Sequence, residues 1–137
     1  MTDDKGRVTK DGIRIYQSSD FDGMFAAGKL AAEILDEVAP LVVAGVSTAE
    51  LDRVITAHVN TVVSKSATIG YKGYKHASCI SVNHVVCHGI PGDKRLKDGD
   101  IVNIDVTVIV DGWFGDTSRM YVAGKLGRKS ERLVQVT

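Results

Sequence analysis

The chain has 137 residues, of which 44% are hydrophobic and 25% charged, the composition of one soluble globular domain. Seventeen basic and seventeen acidic residues give a formal charge of zero at pH 7. This balance argues against nucleic acid or an anionic membrane as the main partner, because both require net basic charge. No apolar run reaches the length of a membrane span and no signal segment opens the chain, so we expect a cytoplasmic protein. Cys79 and Cys87 are too few for a disulfide scaffold, and we expect both to be small buried residues.

Two helices are predicted in the first half of the chain, after a polar arm at residues 1–17 that contains an extended piece at residues 13–16. The first helix is predicted from Ser19 to Val38, and Pro40 ends it. Its apolar face has the three-and-four spacing of a buried helix face. The face consists of Phe21, Met24, Gly28, Ala31, Leu35, Val38 and Val42.

The second helix begins at a capping box, in which Ser47 stands three residues before Glu50. Its apolar stripe consists of Leu51, Val54, Ile55, His58, Val59 and Val62. No second residue of a metal-binding type lies one turn from His58, so we interpret this histidine as a packed side chain rather than a ligand.

Short segments separated by glycine predict β-structure after residue 67. A loop at residues 70–74 displays two tyrosines. Strands are predicted at residues 78–82, 85–87, 101–110 and 113–122. The last two are joined by Asp111 and Gly112, a favoured two-residue hairpin turn. A final helix is predicted from residue 130, with Ser130 as its N-cap.

The hairpin turn fixes which side chains share a face of the last two strands. With Asp111 and Gly112 at the turn, Thr107 opposes Asp116, and Asp105 and Asp116 become diagonal neighbours with Cβ atoms about 7 Å apart. Such a pair raises the pKa of one carboxyl group unless a cation lies between them. It suits one divalent ion, or two bridged ions about 3.5–4 Å apart. The alternative is a hydrated polar face of an edge hairpin.

The opposite face of the same strand is entirely apolar. It consists of Val102, Ile104, Val106, Val108 and Val110. We expect it to pack against the two helices, chiefly through Leu35, Val38, Leu51 and Ile55.

His88 follows a predicted strand and stands beside Gly89 and Pro91. Its neighbours would restrain it while it remains accessible, which suits proton transfer or a hydrogen bond to a reacting group. The alternative is an ordinary exposed loop histidine. Cys87 has no base or helix N-terminus placed to activate it as a nucleophile.

Five segments in order, at residues 79–83, 85–91, 96–107, 111–112 and 115–118, resemble the type I methionine aminopeptidases. They read CISVN, VVCHGIP, LKDGDIVNIDVT, DG and GDTS. The resemblance runs from about residue 19 to the last residue. It implies the α+β pita-bread fold, in which two pseudo-symmetric halves of helices and antiparallel strands enclose a dinuclear metal site. Residues 18–137 would then be the N-terminal half of the catalytic domain, with helices packed on an antiparallel sheet.

The resemblance also implies roles for individual residues. Asp105 would chelate one metal ion and Asp116 would bridge both. His88 would contact the substrate and stabilise the tetrahedral intermediate. The walls of the pocket for the methionine side chain would be Tyr71, Tyr74 and Cys79. Oxygens for a monovalent cation would come from Asn83 and Val85.

The function implied is removal of the N-terminal methionine from nascent polypeptides by a hydroxide activated by two divalent ions (Co, Mn, Fe or Zn). The family places a histidine and two glutamates as further ligands, and a second active-site histidine, in a C-terminal half that this sequence does not contain. We therefore expect weak metal occupancy, little activity of this chain by itself, and either the C-terminal half or a second copy as partner. The alternative function is a non-catalytic pita-bread binding module. The VCHGIP string speaks against a peptidase of X-Pro bonds.

Overall fold

The structure is a computed structural model that describes residues 6–61 and 64–137. Its strands are β1 (Arg7–Val8), β2 (Arg14–Ile15), β3 (Lys65–Ser66), β4 (Ser78–Val82), β5 (Asp100–Val110) and β6 (Trp113–Ala123). Its α-helices are α1 (Ser18–Val38), α2 (Thr48–Thr61) and α3 (Arg128–Val136). Single 3₁₀ turns lie at Ala39–Leu41 and Tyr71–Gly73. Within the described ranges, no helix has both the length and the apolarity of a membrane span.

The main sheet is antiparallel and is organised around β5. This strand pairs with β6 along its whole length on one edge, and with β4 and then β3 on the other. The strands β1 and β2 form a separate small hairpin that contains part of the predicted extended piece. The strand β3 was not predicted, because two residues are too short to show an alternating pattern.

The helices cover the apolar face of β5, as predicted. Four of its side chains, those of Val102, Ile104, Val106 and Val108, are at most 1% exposed, and Val110 is partly buried against them. The same core contains Leu35, Val38, Leu51 and Ile55. Burial of each large apolar side chain contributes about 1.5–3 kcal/mol to folding. This packing holds the opposite, polar face of β5 in place.

The helix α1 begins one residue earlier than predicted, and its apolar face was assigned partly wrongly. Gln17 is the N-cap, and its N–H donates to the Asp20 carboxylate at 2.8 Å. The buried residues are Ala27, Leu30, Ala31, Ile34, Leu35 and Val38, whereas Phe21, Met24 and Gly28 are exposed. Gly23 lies against Trp113, which directly follows the hairpin turn. The first turn of α1 therefore reaches beyond the sheet that would bury Phe21.

Polar contacts also fix α1 on the sheet. The Tyr121 hydroxyl donates to the Leu35 carbonyl at 2.6 Å, and Arg119 pairs with Asp36 at 2.6 Å.

The capping box of α2 is confirmed, because the Glu50 carboxylate accepts from the Ser47 N–H at 2.8 Å and from the Ser47 hydroxyl at 2.7 Å.

His58 is the packed side chain that the sequence predicted. It is partly buried and contacts Glu37 of α1. Val62, which was assigned to the same stripe, lies outside the described residues, as do the first five residues of the arm.

Three further predictions were wrong. Residues 85–87 form a loop rather than a strand, because the backbone bond from β4 to the segment after the turn, from Ile80 N–H to Gly89 O at 2.8 Å, lies beyond them and no ladder runs along them. Cys87 is consequently exposed rather than buried, while Cys79 is half-buried. The helix α3 begins at Arg128 with Gly127 as N-cap, so Ser130 is not its cap.

Candidate active site

The hairpin of β5 and β6 has the predicted register. Asp111 and Gly112 form the turn with φ of 48° and 77°, the left-handed values that this type of two-residue turn requires. Asp105 pairs with Ser118 and Thr107 with Asp116, so both carboxylates lie on the face opposite the core. The Thr107 hydroxyl donates to Asp116 Oδ1 at 3.1 Å. The backbone therefore holds two carboxylates together on a rigid ladder.

Electrostatic strain at this pair favours a cation. Partial burial raises the pKa of Asp105, and the neighbouring Asp116 carboxylate raises it further. His88 acts in the opposite direction on the same pKa, which places the imidazole in the electrostatic surroundings of Asp105. A divalent ion between two such carboxylates would relieve their repulsion.

The donor set is that of an incomplete metal site. Carboxylate oxygens suit divalent ions, so Asp105 and Asp116 fit as two ligands. Among residues 6–61 and 64–137, no three side chains of His, Cys, Asp or Glu come together as a cation site. Tight binding of a divalent ion therefore requires further ligands.

Gly115 sets the position of Asp116 against α1. This glycine is buried, and a Cβ placed on it would lie 2.7 Å from Gly28 N and closer still to the carbonyl of Ala27. The strand can therefore approach the helix this closely only with glycine at this position. The close approach of β6 to α1 therefore fixes the position of Asp116, the next residue along the strand.

His88 stands on a tightly held loop. Its φ is 54°, and the next residue is clamped to β4 on both sides. Gly89 N–H donates to Ser81 Oγ at 3.0 Å, and Gly89 O accepts from Ile80 N–H at 2.8 Å. A Cβ at Gly89 would contact the backbone of Ile80 and lie 2.9 Å from Ser81 Cα. The side chain of His88 itself is exposed and faces a cavity.

This cavity has a volume of about 720 Å³ and brings together four of the residues singled out by sequence, Tyr71, Tyr74, Cys79 and His88. Its remaining lining is Ala67, Thr68, Lys72, Gly73, Ile90, Thr107 and Phe114. Thr107 connects the cavity to the carboxylate pair, because its hydroxyl donates to Asp116. Sequence reasoning missed Ile90 and Phe114, since neither stands in a pattern that differs from ordinary loop or strand residues.

Tyr74 presents its ring to the cavity while its hydroxyl is engaged in the wall. The hydroxyl donates to the Ser78 carbonyl at 2.9 Å and accepts from Cys79 Sγ at 3.6 Å. Burial raises the pKa of Tyr74, and the contact with Cys79 raises it further. The phenol therefore stays neutral and acts as a fixed wall. Lys72 lies 5.5 Å from the centre of the Tyr71 ring.

Asn83 and Val85 lie apart from the cavity lining, at the turn that follows β4. The Asn83 amide donates to Asp100 at 2.8 Å, and its oxygen accepts from Ile101 N–H at 3.1 Å. Partial burial acts to raise the pKa of Asp100, but hydrogen bonds from Asn83 and from Lys97 N–H outweigh it, so this pKa lies below its ordinary value. Because the Asn83 side chain is engaged twice, a cation here would take main-chain oxygens.

A buried carboxylate behind the cavity wall was also missed. Asp52 of α2 is 7% exposed and holds the backbone that leads into β4. Asp52 stands three residues before Ile55 and seven before Val59, on the edge of the predicted apolar stripe, and this spacing is the sequence signal that could have indicated its burial.

Comparison with known proteins places these features in context. Residues 22–137 match metallopeptidase family M24. The methionine aminopeptidase of Rickettsia prowazekii is 53% identical over 125 residues, and that of Escherichia coli K12 is 54% identical over 127 residues. Each alignment covers 91% of this chain and 48% of the relative. The chain thus spans about half the length of the curated relatives it matches.

Solved structures show the same relationship. The crystal structure of methionine aminopeptidase from R. prowazekii superposes with a TM-score of 0.89 at 53% identity, covering 91% of this chain and 50% of that one. An Xaa-Pro dipeptidase from Bacillus anthracis superposes with a TM-score of 0.75 at 16% identity, covering 88% of this chain and 32% of that one, which shows a shared fold alone. These likenesses confirm the predicted pita-bread α+β fold and the resemblance carried by the sequence motifs.

Proposed function

The chain belongs to metallopeptidase family M24, and we propose that it serves the removal of the N-terminal methionine from nascent polypeptides. The observation that carries the proposal is the placement of two carboxylates, Asp105 and Asp116, beside a cavity lined by aromatic side chains and His88. The high identity to methionine aminopeptidases over nearly the whole chain supports the same function.

Asp105 and Asp116 would hold the divalent ions, and Co, Mn, Fe or Zn are all compatible with these oxygen ligands. Such ions supply Lewis acidity and activation of water to a peptide hydrolase. The Thr107 hydroxyl, 3.1 Å from Asp116 Oδ1, orients that carboxylate.

His88 lines the cavity and would contact the substrate there. Its loop is clamped through Gly89, so the imidazole is preorganised without being buried. A ring nitrogen can donate to the carbonyl oxygen of the first peptide bond as negative charge develops there, which stabilises the tetrahedral intermediate.

The methionine side chain would occupy the cavity against Tyr71, Tyr74 and Cys79. The Tyr74 hydroxyl is turned into its own hydrogen bonds, so the pocket presents ring surface and sulfur rather than unpaired polar groups. A flexible thioether suits such a surface, because sulfur makes favourable contacts with aromatic rings. Main-chain oxygens at Asn83 and Val85 would bind a monovalent cation that stabilises the turn after β4.

Turnover would require ligands beyond Asp105 and Asp116, because each missing charged ligand removes attraction that offsets the dehydration of the ion. We propose that the remaining half of the length of the relatives supplies them and is the protein partner of this chain. The helix α3, whose Leu133 and Val136 are exposed, is a surface that it would cover. The chain by itself would self-associate through that helix.

The test is cleavage of the peptide Met-Ala-Ser with Mn²⁺ added, by the 137-residue chain and by the same chain fused to the remaining half of the R. prowazekii enzyme. We expect little or no turnover from the chain and robust turnover from the fusion. Asp116→Asn should abolish turnover, whereas Asp111→Asn, which alters a carboxylate at the tip of the same hairpin, should retain it. A folded, metal-loaded fusion that cleaves nothing would refute the function. Turnover by the 137-residue chain comparable with the fusion would refute the need for the second half.

A further inference from the structure

A buried carboxylate ties the wall of the cavity to helix α2. Asp52 Oδ1 accepts three hydrogen bonds, from Ala77 N–H at 3.1 Å, from Ser78 N–H at 3.0 Å and from Ser78 Oγ at 2.7 Å. The second oxygen, Oδ2, lies 3.0 Å from His76 Nδ1. A carboxylate with so many donors is fixed in position, and it therefore fixes the segment that leads into β4.

His76 transmits this anchorage to Tyr74. Its ring meets the Tyr74 ring edge-on, with centroids 5.5 Å apart and an interplanar angle of 66°. The main-chain carbonyl of His76 also accepts from Thr68 Oγ1 at 2.7 Å, and Thr68 lines the cavity. One residue therefore contacts two members of the lining while lying outside the lining itself.

The chemistry of the contact determines the state of the ring. An ionised carboxylate only accepts hydrogen bonds, so Nδ1 of His76 must carry a proton, which leaves Nε2 of the neutral ring as the acceptor. This tautomer sets the ring orientation that Tyr74 meets. The Asp52 charge also acts on Tyr74 after burial and the Cys79 contact, in the direction that raises the pKa of the phenol and keeps its hydroxyl a donor.

We propose that Asp52 and His76 are positioning residues that set the selectivity of the pocket for the methionine side chain, by holding Tyr74 and the start of β4 in place. This inference rests on the proposed function of the cavity. It goes further because Asp52 and His76 would not contact the substrate themselves and would act by positioning residues of the cavity wall. Loss of the His76–Asp52 bond would let the Tyr74 ring move, so the pocket would lose shape complementarity to a long side chain more than to a short one.

Two substitutions separate the hydrogen bond from the ring contact. His76→Phe keeps a ring against Tyr74 and removes the donor to Asp52. His76→Asn keeps an amide donor near the position of Nδ1 and removes the ring. His58→Phe is the matched control, because it removes another histidine–carboxylate contact, to Glu37, away from the cavity.

The measurement is NMR titration of each full chain with methioninamide and with alaninamide, which yields the ratio of their affinities. We expect His76→Phe to lower the preference for methioninamide about fivefold, the factor typical of one lost hydrogen bond. His76→Asn keeps the donor to Asp52 and loses only the ring contact, so it should lower this preference less than His76→Phe does. His58→Phe should stay within about twofold of the wild type. An unchanged ratio in His76→Phe, or equal losses in both His76 variants, would overturn the role of the hydrogen bond. No preference in the wild type would instead refute the methionine pocket of the proposed function, and the inference with it.

A second measurement does not depend on ligand binding or on the stability of the His76 variants. Long-range ¹H–¹⁵N correlation of the wild-type imidazole at alkaline pH should show the proton of the neutral His76 ring on Nδ1. In Asp52→Asn the side-chain amide can donate to Nδ1, so the ring proton should move to Nε2. A wild-type ring protonated on Nε2 would overturn the proposal.

Discussion

Gly115 is the position at which fold and candidate site are most directly coupled, and Gly115→Ala is expected to disturb both. A Cβ at this position would lie 2.7 Å from Gly28 N, whereas ordinary contact begins at 3.4 Å, so strand and helix would have to separate by at least 0.7 Å. The carbonyl of Ala27 is closer still. Because the obstacle is helix backbone, no side-chain rotation can relieve it.

The magnitude follows from the cost of overpacking a buried contact. Inserted methyl groups in packed interiors cost typically about 1–3 kcal/mol, and a clash with backbone lies at the upper end. We therefore expect Gly115→Ala to lower the free energy of unfolding by about 3 kcal/mol, which corresponds to a loss of about 10 °C in Tm for a domain of this size. Asp116, the next residue, should move with the strand and weaken Mn²⁺ binding.

Gly28→Ala is the matched control on the same interface. A Cβ at Gly28 meets no atom within 4 Å, and the residue lies inside α1. Alanine there should raise the free energy of unfolding by about 0.5–1 kcal/mol, through the higher helix propensity of alanine. Urea unfolding followed by circular dichroism measures both variants. If Gly115→Ala were as stable as the wild type, the close approach of β6 to α1 would be refuted.

Three further predictions concern the core, the helix cap and the carboxylate pair. Ile104→Ala should lower the free energy of unfolding by about 2–5 kcal/mol in urea, because Ile104 is fully buried at the centre of β5. Hydrogen bonds from the Ser47 side chain and backbone lower the pKa of Glu50 below 4.5. The Glu50 carboxylate should therefore stabilise the fold fully at neutral pH, relative to Glu50→Gln. This stabilisation should disappear as the pH falls through the lowered pKa of Glu50, which urea unfolding at a series of pH values can measure. Asp105→Asn should leave the metal-free chain at least as stable as the wild type, because repulsion from Asp116 is relieved, while calorimetric titration should show weaker Mn²⁺ binding.

Each of these has a matched control. Ile104→Val should cost only about 0.5–1.5 kcal/mol, and equal losses for valine and alanine would contradict simple packing. Ser47→Ala removes the hydroxyl that donates to the Glu50 carboxylate at 2.7 Å, so it should reduce the pH dependence that Glu50 confers. Asp111→Asn should bind Mn²⁺ as the wild type does. A clear loss of stability in metal-free Asp105→Asn would contradict repulsion between the two carboxylates.

The sequence by itself determined the features that depend on neighbours along the chain. Asp111 and Gly112 fix a turn of known geometry, and the alternation of side chains along a strand then places Asp105 and Asp116 on one face and the valines on the other. The capping box of α2 spans only four residues and was predicted correctly for the same reason. The order of the motifs was sufficient to indicate the family.

Only the tertiary structure decided which apolar residues are covered and how the cavity wall is held. Phe21 and Cys87 have apolar side chains, yet both are exposed, which neither residue type nor spacing indicated. The Asp52–His76 bond joins residues 24 positions apart. Burial and long-range hydrogen bonds depend on which elements pack against each other in the folded chain. The spacing of residues along the sequence does not show which elements these are.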